Sequence, residues 1–378
     1  MHDYEARRED VFAFAWSAPM RDLAVKVSMS DVGLRKLLSG HGISSPPQGH
    51  WNRVHAGRRV VDPPKPAPRQ AGERLHVRLD QRFAQFIAAA PELDPNGPFA
   101  SKLVPEDLEE LRAQILKATK RITVPRTIER PHRGLAALSN NEANRRAKAL
   151  ASPYPWSSGA RFDDAFNQRR LRIANALLFA LEANGGGGWV RGGENDLDFS
   201  FTVRDSGASV IIDEPGRRPN RYQPSPKRDP KAKLAITISS FRVAGVEETW
   251  ADSKDAKVED KLRDVVAAIV VIAERAIRQE VADRIEWRKR QDELVRQEEI
   301  DRRARREEAR RVELARLADR LSEADKVRAL VARVEQGWAE AISAQDLTLW
   351  RQWALDHADT IDPITNGDFA RHLSGRNE

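Results

Sequence analysis

The stretch from Pro19 to Ile43 constrains the fold most, because its apolar spacing, breaks and caps fit two short helices joined by a tight turn. Pro19 can open the first helix, since its missing N–H would be unpaired there and its φ is preset. Ser28-Met29-Ser30 interrupts the pattern, and Ser30 is a good N-cap for a second helix. Gly42 stands where a glycine would end that helix. The apolar positions at helical spacing are Leu23, Ala24 and Val27, then Leu34, Leu37 and Leu38.

This pattern predicts a helix-turn-helix whose second helix, 30–40, enters the DNA major groove. Arg35 and Lys36 would then reach guanine edges or phosphates. Such motifs usually carry glycine where this chain has Ser28, so the serine must adopt a left-handed conformation at some cost or make a slightly different turn. An ordinary helical hairpin with a solvated second helix is the alternative. The residues predicted to lie at DNA are Ser30, Asp31, Val32, Gly33, Arg35 and Lys36.

A basic, proline-punctuated segment, 44–70, follows the helix pair, and its prolines and Gly49 exclude a long helix. Between Arg21 and Ala71 there are nine lysines and arginines but three acids, so the cationic excess lies beside the proposed reading helix. An extended basic arm could follow the phosphate backbone or enter the minor groove. A proline-stiffened linker with solubilising charges is the equal alternative. The predicted DNA contacts in this arm are His50, Trp51, Arg53, Arg58 and Arg59.

A series of short motifs runs from Phe14 to Arg58. The series comprises Ala15-Trp16-Ser17-Ala18-Pro19-Met20, Leu23-Ala24, Ser30-Asp31, Leu34, Lys36, Ile43, Pro46-Pro47, Gly49-His50-Trp51, Arg53 and Ala56-Gly57-Arg58. It resembles the N-terminal signature of a widespread bacterial family of uncharacterised proteins, often encoded in mobile or accessory regions: VWS-x-PM, LA, SD-x-x-L-x-K and I-x-x-P-x-GYW-x-K-x-x-AGK. His50 stands in place of the tyrosine, and Arg53 and Arg58 in place of lysines, which keeps the charge although arginine and lysine bind phosphate differently.

The resemblance continues more loosely to Trp250-Ala251-Asp252, to Lys257-Val258-Glu259-Asp260 and to the charged helix after them, so it covers most of the chain. It implies a DNA-binding N-terminus and a shared architecture. It implies no particular reaction.

The composition favours an anionic partner and a reducing compartment. The net charge is +7 and the pI is near 9.7, which suits anionic partners. There are no cysteines, so disulfides and thiolate metal sites are excluded. No apolar run approaches the roughly 20 residues needed to span a bilayer, and the charged N-terminus lacks a signal-peptide core. We therefore expect a soluble, cytoplasmic, nucleoid-associated protein with no membrane contact.

The middle of the chain predicts a small α+β domain. Apolar and polar residues alternate from Leu197 to Val203 and again from Leu234 to Ile238, as in half-buried strands of an antiparallel sheet. Strongly apolar helices over 162–183 and 257–277 would cover one face of that sheet. The predicted strands are 189–191, 197–203, 209–212 and 233–241. Further helices are predicted over 4–16, 78–90 and 103–119.

The C-terminal third predicts a long charged helix and a helical module. From Lys257 the chain is expected to stay helical for about sixty residues, but after Trp287 its apolar positions are too sparse for a sustained coiled-coil seam. We expect a solvated rod that pairs with a second chain, or a single spacer helix. In the last module, from Ala324 to Leu373, the tryptophans are expected in the core first and on a partner-binding surface second; they are Trp338, Trp350 and Trp353.

The predicted fold class is thus α+β and mainly α. It has an N-terminal helix-turn-helix unit, a central antiparallel sheet with covering helices, a long charged helix and a C-terminal helical module. The predicted boundaries are 1–60 for the helix-turn-helix domain, 61–75 for a proline-rich basic linker, 76–150 for a helical connecting region, 151–282 for the central α+β domain, 283–322 for the long charged helix and 323–378 for the C-terminal module.

No motif demands catalysis. The four glycines 185–188 follow a helix and lack G-K-[ST], so they predict a flexible helix-to-strand turn rather than a phosphate loop. A set of acids with Lys233 invites comparison with a Mg²⁺-dependent nuclease, although Asp196 and Asp198 are equally the polar half of a strand. Histidine spacing fits no zinc site, and no nucleophile elbow is present. We predict no catalytic residue, metal or cofactor; the acids considered are Glu194, Asp196, Asp198, Asp213 and Glu214.

The expected function is sequence-specific binding of double-stranded DNA, as a transcriptional regulator or a DNA-targeting component of a mobile-element or defence locus. One alternative is a metal-dependent nuclease that the helix-turn-helix targets. The other is a non-catalytic assembly protein, acting as a homodimer through the long helix or with a protein partner at the C-terminal module. The basic segment 121–134 is either a second phosphate-contacting loop or a solvated connection.

Overall fold

The chain folds as a mainly helical α+β protein, which confirms the predicted fold class. The computed structural model describes residues 4–152, 162–192, 196–218, 228–240, 242–338 and 343–370. The chain divides into two compact units, Met1–Ile285 and Glu286–Glu378, and each is described by itself. None of the helices within the described ranges is both long enough and apolar enough to cross a membrane.

The N-terminal module, residues 4–87, combines four α-helices with a two-stranded antiparallel sheet. Its elements are β1 (Tyr4–Ala6), α1 (Arg8–Ala15), α2 (Met20–Lys26), α3 (Asp31–Gly40), α4 (His50–His55) and β2 (Val77–Leu79). Tyr4 lies opposite Leu79 in the sheet. One buried core joins these elements except α4, and it includes Val11, Phe12, Phe14, Leu23, Val27, Leu34, Leu38, Ile43, Phe83 and Ile87.

Two helix predictions in this module are wrong. Residues 4–16 form β1 followed by α1, and the helix predicted over 78–90 is replaced by the end of β2 and a 3₁₀ helix, Gln81–Gln85. Asp80 starts that 3₁₀ helix by accepting the N–H of Arg82 at 3.0 Å. β2 forms because it pairs with β1, at the opposite end of the module. Local residue spacing cannot predict such a pairing.

The central sheet has five strands in chain order, all antiparallel. They are β3 (Gly186–Gly192), β4 (Leu197–Val203), β5 (Ser206–Asp213), β6 (Ala235–Ser239) and β7 (Glu247–Ala251). Val210 lies opposite Ile238 in the core, and Thr237 opposite Thr249 at the edge. The antiparallel sheet is as predicted, but β7 is not, because this edge strand has no fully buried residue and shows no apolar alternation. The predicted strand end at Phe241 lies outside the described residues.

The glycine run is mostly strand rather than turn. Gly185 alone makes the turn after the preceding helix, with φ +74°, whereas Gly186, Gly187 and Gly188 begin β3. A Cβ on Gly188 would lie 2.2 Å from the carbonyl oxygen of Ser200, and one on Gly134 would lie 2.1 Å from the carbonyl oxygen of Gly188. The glycines therefore allow the helix Arg133–Leu150 to approach the backbone of the edge strand closely. The predicted flexible turn is wrong for Gly186, Gly187 and Gly188, which are strand residues.

Helices complete the first unit. They are α5 (Leu108–Ala118), α6 (Arg133–Leu150), α7 (Ala165–Glu182) and the part of α8 (Leu262–Trp338) up to Ile285. A 3₁₀ helix, Val258–Lys261, precedes α8. Asp164 caps α7 by accepting the N–H of Asn167 at 3.0 Å. Leu177 of α7, Phe201 of β4 and Ile269 of α8 are fully buried in one core. At 77 residues, α8 is longer than predicted.

In the second unit, the C-terminal part of α8 packs against α9 (Ala344–Ile361). Arg328 pairs with Asp359 at 2.9 Å and with Asp362 at 2.7 Å. The contact buries mainly small apolar side chains: Ala324, Val331, Ala354 and Ala358. Since these let the helices approach closely, the bulky side chains lie outside: Trp338 is 57% exposed and Trp353 is 66% exposed. The expectation that the tryptophans form the core is therefore wrong for these two, and Trp350 is half-buried. The predicted end of this module, Leu373, lies outside the described residues.

Candidate nucleic-acid interface

The turn between α2 and α3 adopts the strained conformation considered for Ser28. Ser28 has φ +52°, in the left-handed region, and the N–H of Met29 donates to the carbonyl of Ala24 at 2.9 Å. Arg82 donates to the carbonyl of Ser28 at 2.9 Å and is itself held by Asp80 at 2.8 Å. The module thus supports the turn from the 3₁₀ helix, a contact that no local sequence signal predicts.

Ser30 and Gly33 set the start of α3. The hydroxyl of Ser30 accepts the N–H of Gly33 at 3.0 Å, so Ser30 is the predicted N-cap. A Cβ at Gly33 would lie 2.9 Å from Ser30 Oγ, so the glycine keeps room for the capping hydroxyl. At the other end Gly42 is left-handed, with φ +67°, and the N–H of Ile43 returns to the carbonyl of Leu38 at 2.9 Å.

The two faces of α3 differ sharply. Leu34 and Leu38 are fully buried in the core of the N-terminal module. Arg35 and Lys36 are exposed, and neither forms an ion pair with any described residue. Asp31 and Val32 are exposed on the first turn of the same helix. An amphipathic helix fastened by its leucines therefore presents two unpaired cations outward.

The predicted contacts in α4 separate into buried and exposed residues. Gly49 begins α4 with φ +79°. The ring of His50, only 8% exposed, lies edge-on to Trp16 at 5.4 Å and to Trp51 at 5.3 Å. The indole N–H of Trp51 is buried and has no hydrogen-bond partner among the described residues. His50 therefore packs inside the module and Trp51 is half-buried beside it, so we do not include them in the proposed DNA-binding surface.

The basic segment 44–70 keeps its cations free up to Lys65 and then becomes anchored. Arg53, Arg58 and Arg59 are exposed and have no ion-pair partner in the described ranges. Arg69, in contrast, pairs with the fully buried Glu274 of α8 at 2.7 Å. That carboxylate also accepts the N–H of Gly72 at 3.0 Å. Arg69 therefore has a structural role, although it contributes to the cationic excess of the segment.

Ion pairs fasten the N-terminal module to α8 within the first unit. Glu5 binds Arg284 and Arg78, and Arg78 reaches Glu280 at 2.5 Å. Burial opposes ionisation of Glu5, but the nearby imidazole of His76, the charges of Arg284 and Arg78 and the hydrogen bond from Arg78 outweigh it and lower the pKa of Glu5 to about 2. The arginines at this junction are thus neutralised by carboxylates.

The surface of the N-terminal module over residues 21–65 is not neutralised in this way. Eight exposed lysines and arginines and three exposed acids lie there, and none of them forms an ion pair with a described residue. The cations are Arg21, Lys26, Arg35, Lys36, Arg53, Arg58, Arg59 and Lys65. The acids are Asp22, Asp31 and Asp62. Such a surface attracts a polyanion.

Two of the acids considered for a nuclease site, Asp196 and Asp213, pair with arginines. Asp196 accepts from Arg170 at 2.7 Å, and Asp213 accepts from Arg228 at 2.9 Å. Burial raises the pKa of Asp213 in spite of those two guanidinium groups. Within the described residues, which do not include Glu194, no three His, Asp or Glu side chains are placed to hold a metal ion. The described part of this cluster supports a structural ion-pair network.

No protein-family model matches the chain, and comparisons with curated proteins and with solved structures find no significant similarity. The chemistry of the exposed surfaces is therefore the basis for inferring function.

Proposed function

We propose that this chain is a sequence-specific DNA-binding protein that reads the major groove with α3. The observation that carries the proposal is the difference between the two faces of that helix. Leu34 and Leu38 are buried in the module, while Arg35 and Lys36 are exposed and have no ion-pair partner among the described residues. An α-helix fits the major groove, where arginine or lysine can bind the O6 and N7 acceptors of guanine. Double-stranded DNA is thus the proposed partner.

The basic arm supports the same proposal. Arg53 and the pair Arg58 and Arg59 follow α3 in the chain and are exposed, with no ion pair to any residue that the structure describes. Cations in such a position bind phosphates, which fixes the register of a reading helix without carrying sequence information. We assign α3 to base recognition and these arginines to the backbone. A transcriptional regulator, or a DNA-targeting component of a mobile-element or defence locus, would use this division of roles.

A binding-site selection followed by titration tests the proposal. The full-length protein is used to enrich a randomised duplex pool, and fluorescence anisotropy then measures the dissociation constant for the enriched site. We expect Arg35→Ala or Lys36→Ala to weaken binding by roughly ten- to a hundredfold, since a base contact contributes about 1–3 kcal/mol. Arg146→Ala, which removes an exposed cation on α6, is the matched control and should change affinity less than twofold. Thermal melting checks that each variant is folded.

Failure to enrich any sequence would contradict the proposal. Equal losses of affinity for Arg35→Ala and Arg146→Ala would also contradict it, because α3 would then contribute only general charge.

The second unit favours an additional candidate function, self-association. Leu349 and Trp353 lie four residues apart on one face of α9 and are both exposed, as is Trp338 at the end of α8, and adjacent exposed apolar side chains are typical of an interaction surface. Light scattering of the full chain and of its Trp353→Glu variant tests this candidate. A dimer mass that becomes a monomer mass in the variant would support it, and a monomer mass for both proteins would contradict it.

A further inference from the structure

An open cavity of about 1050 Å³ lies between α7 and the segment 118–130, and no residue of α3 lines it. It belongs wholly to the first unit. Ile122, Val124 and Ile128 of the segment are half-buried against the central core. Between them the cationic side chains of the same segment are exposed. The segment therefore forms a wall that is apolar on its inner side and basic at its rim.

The floor of the cavity is a stripe of α7. Ala176, Ala180 and Ala183 line it at helical spacing and leave room above the helix. Phe179 lies among them, 46% exposed, and the ring of His132 meets it edge-on at 5.0 Å. An exposed aromatic ring held in one orientation is a platform on which a flat ring can stack.

The wall is tied to α7 at two points, so the cavity is preformed. Asn175 accepts the N–H of His132 at 2.7 Å through Oδ1 and donates to the carbonyl of Arg130 at 3.4 Å. Arg172 donates to the carbonyl of Arg126 at 2.8 Å. A ligand that enters would not have to order this segment first, which favours affinity.

Thr119 contributes a buried polar group that lacks a partner. Its side chain lines the cavity and is only 8% exposed, and no described residue hydrogen-bonds to its hydroxyl. Buried polar atoms in folded proteins are almost always satisfied. A ligand with a polar edge would supply the missing hydrogen bond.

The charge at the rim indicates the class of ligand. Four cations line the cavity, and Glu129 is the one acid among the described residues that line it. None of the four has an ion-pair partner among the described residues. The excess suits a multiply charged phosphate better than a single carboxylate. The four cations are Lys120, Arg121, Arg126 and Arg130.

We propose that this cavity binds a nucleoside phosphate. The base of the ligand stacks on Phe179, and the polar edge of that base reaches the hydroxyl of Thr119. The phosphate of the ligand lies at the arginines of the rim. The proposal is independent of DNA binding, since α3 and the cavity share no residue.

Isothermal titration calorimetry of the full-length protein with AMP tests the proposal, with adenosine and inorganic phosphate as partial ligands. We expect one AMP per chain and much weaker binding of either part alone. Phe179→Ala and the double variant Arg121→Ala/Arg130→Ala should each weaken AMP binding by at least about tenfold. Arg146→Ala should leave it within about twofold, because that side chain lies outside the cavity.

Thr119→Val provides a second, separable measurement. The substitution removes an unsatisfied hydroxyl at nearly constant volume, so the melting temperature of the ligand-free protein should stay the same or rise. AMP affinity should nevertheless fall. A merely structural threonine would give the opposite pattern, with lower stability and unchanged affinity.

Three outcomes would overturn the proposal. The first is no measurable binding of AMP, and the second is inorganic phosphate binding as tightly as AMP with no effect of Phe179→Ala. The third is that a single-stranded oligonucleotide binds more tightly than AMP and that the same variants weaken its binding. That outcome would assign the surface to a nucleic-acid strand instead.

Discussion

Ser28 concentrates the backbone strain of the helix pair in one residue. A non-glycine residue in the left-handed region is disfavoured by about 1–2 kcal/mol, and Arg82 helps to hold the carbonyl of Ser28 in place. The sequence alone identified the position as unusual, because glycine is expected there. It did not identify Arg82, whose contact depends on the tertiary fold.

Replacing Ser28 with glycine should stabilise the protein. We expect Ser28→Gly to raise the free energy of unfolding by roughly 0.5–1 kcal/mol, since relief of the left-handed conformation exceeds the entropy that glycine adds to the unfolded chain. Ser39→Gly, an exposed serine inside α3, is the matched control and should lower it by about 0.5 kcal/mol. Urea denaturation measures both. A loss of stability in both variants would show that Ser28 is not strained.

Asp252 gives the fold part of its dependence on pH. Burial opposes ionisation of this carboxyl, but hydrogen bonds from Arg169 and from the backbone N–H groups of Leu234 and Val258 prevail and lower its pKa to about 2. A folded pKa below the unfolded value means that the ionised group stabilises the fold above about pH 4. This contribution, up to about 2 kcal/mol, is lost as the pH falls through about 2.

Asp252→Asn should therefore flatten the acid limb of the stability curve. We expect lower stability than the wild type at pH 7 and a smaller further loss between pH 4 and pH 2. Glu5, whose pKa is also about 2, keeps some slope in the same window. Urea denaturation at several pH values measures this slope, and an acid limb as steep as that of the wild type would refute the assignment to Asp252.

At the scale of elements, local patterns located some helices and strands correctly. The bounds predicted for β4, 197–203, are the observed ones, because four buried apolar residues alternate within one strand. The cap at Ser30 and the glycine at Gly42 likewise lie within a few residues of the ends of α3. β1 and β2 could not be predicted from spacing because they pair across the whole N-terminal module, and β7 could not because it shows no apolar alternation.

Two neighbouring glycines of β3 offer a matched pair of substitutions. A Cβ at Gly188 would collide with the carbonyl oxygen of Ser200, whereas one at Gly187 meets nothing within 4 Å among the described residues. We expect Gly188→Ala to lower the free energy of unfolding by about 3 kcal/mol through overpacking and strain. Gly187→Ala should change it by less than about 1 kcal/mol. Similar effects of the two substitutions in urea denaturation would show that the run acts as a flexible linker.

The candidate interface was predictable only in part. The exposure of Arg35 and Lys36 follows from the spacing of Leu34 and Leu38, which is a local property. The burial of His50 was not predictable, because it depends on Trp16, which follows α1 and is distant in sequence. The cavity beside Phe179 also escaped sequence analysis, since it depends on how the segment 118–130 lies across α7.

At the scale of the whole molecule, the free cations predict how DNA binding depends on salt. The full-length protein carrying Arg53→Ala, Arg58→Ala and Arg59→Ala together should bind the enriched site with a shallower dependence of log affinity on log salt. The slope should fall by about 0.9 for every phosphate that the variant no longer neutralises. The preferred sequence should not change, because these residues do not read bases. Titrations over a range of salt concentrations measure the slope, and an unchanged slope would remove the arm from the interface.

The most direct test of the central claim removes the major-groove acceptors that α3 is proposed to read. The affinity of the wild type and of Arg35→Ala/Lys36→Ala is measured for the enriched duplex and for the same duplex with 7-deazapurines, which lack the N7 acceptor. The proposal predicts that deazapurines weaken the wild type by about tenfold and the double variant hardly at all, because the side chains that bind N7 are already absent. Equal losses for both proteins, or no loss for the wild type, would contradict major-groove reading by α3.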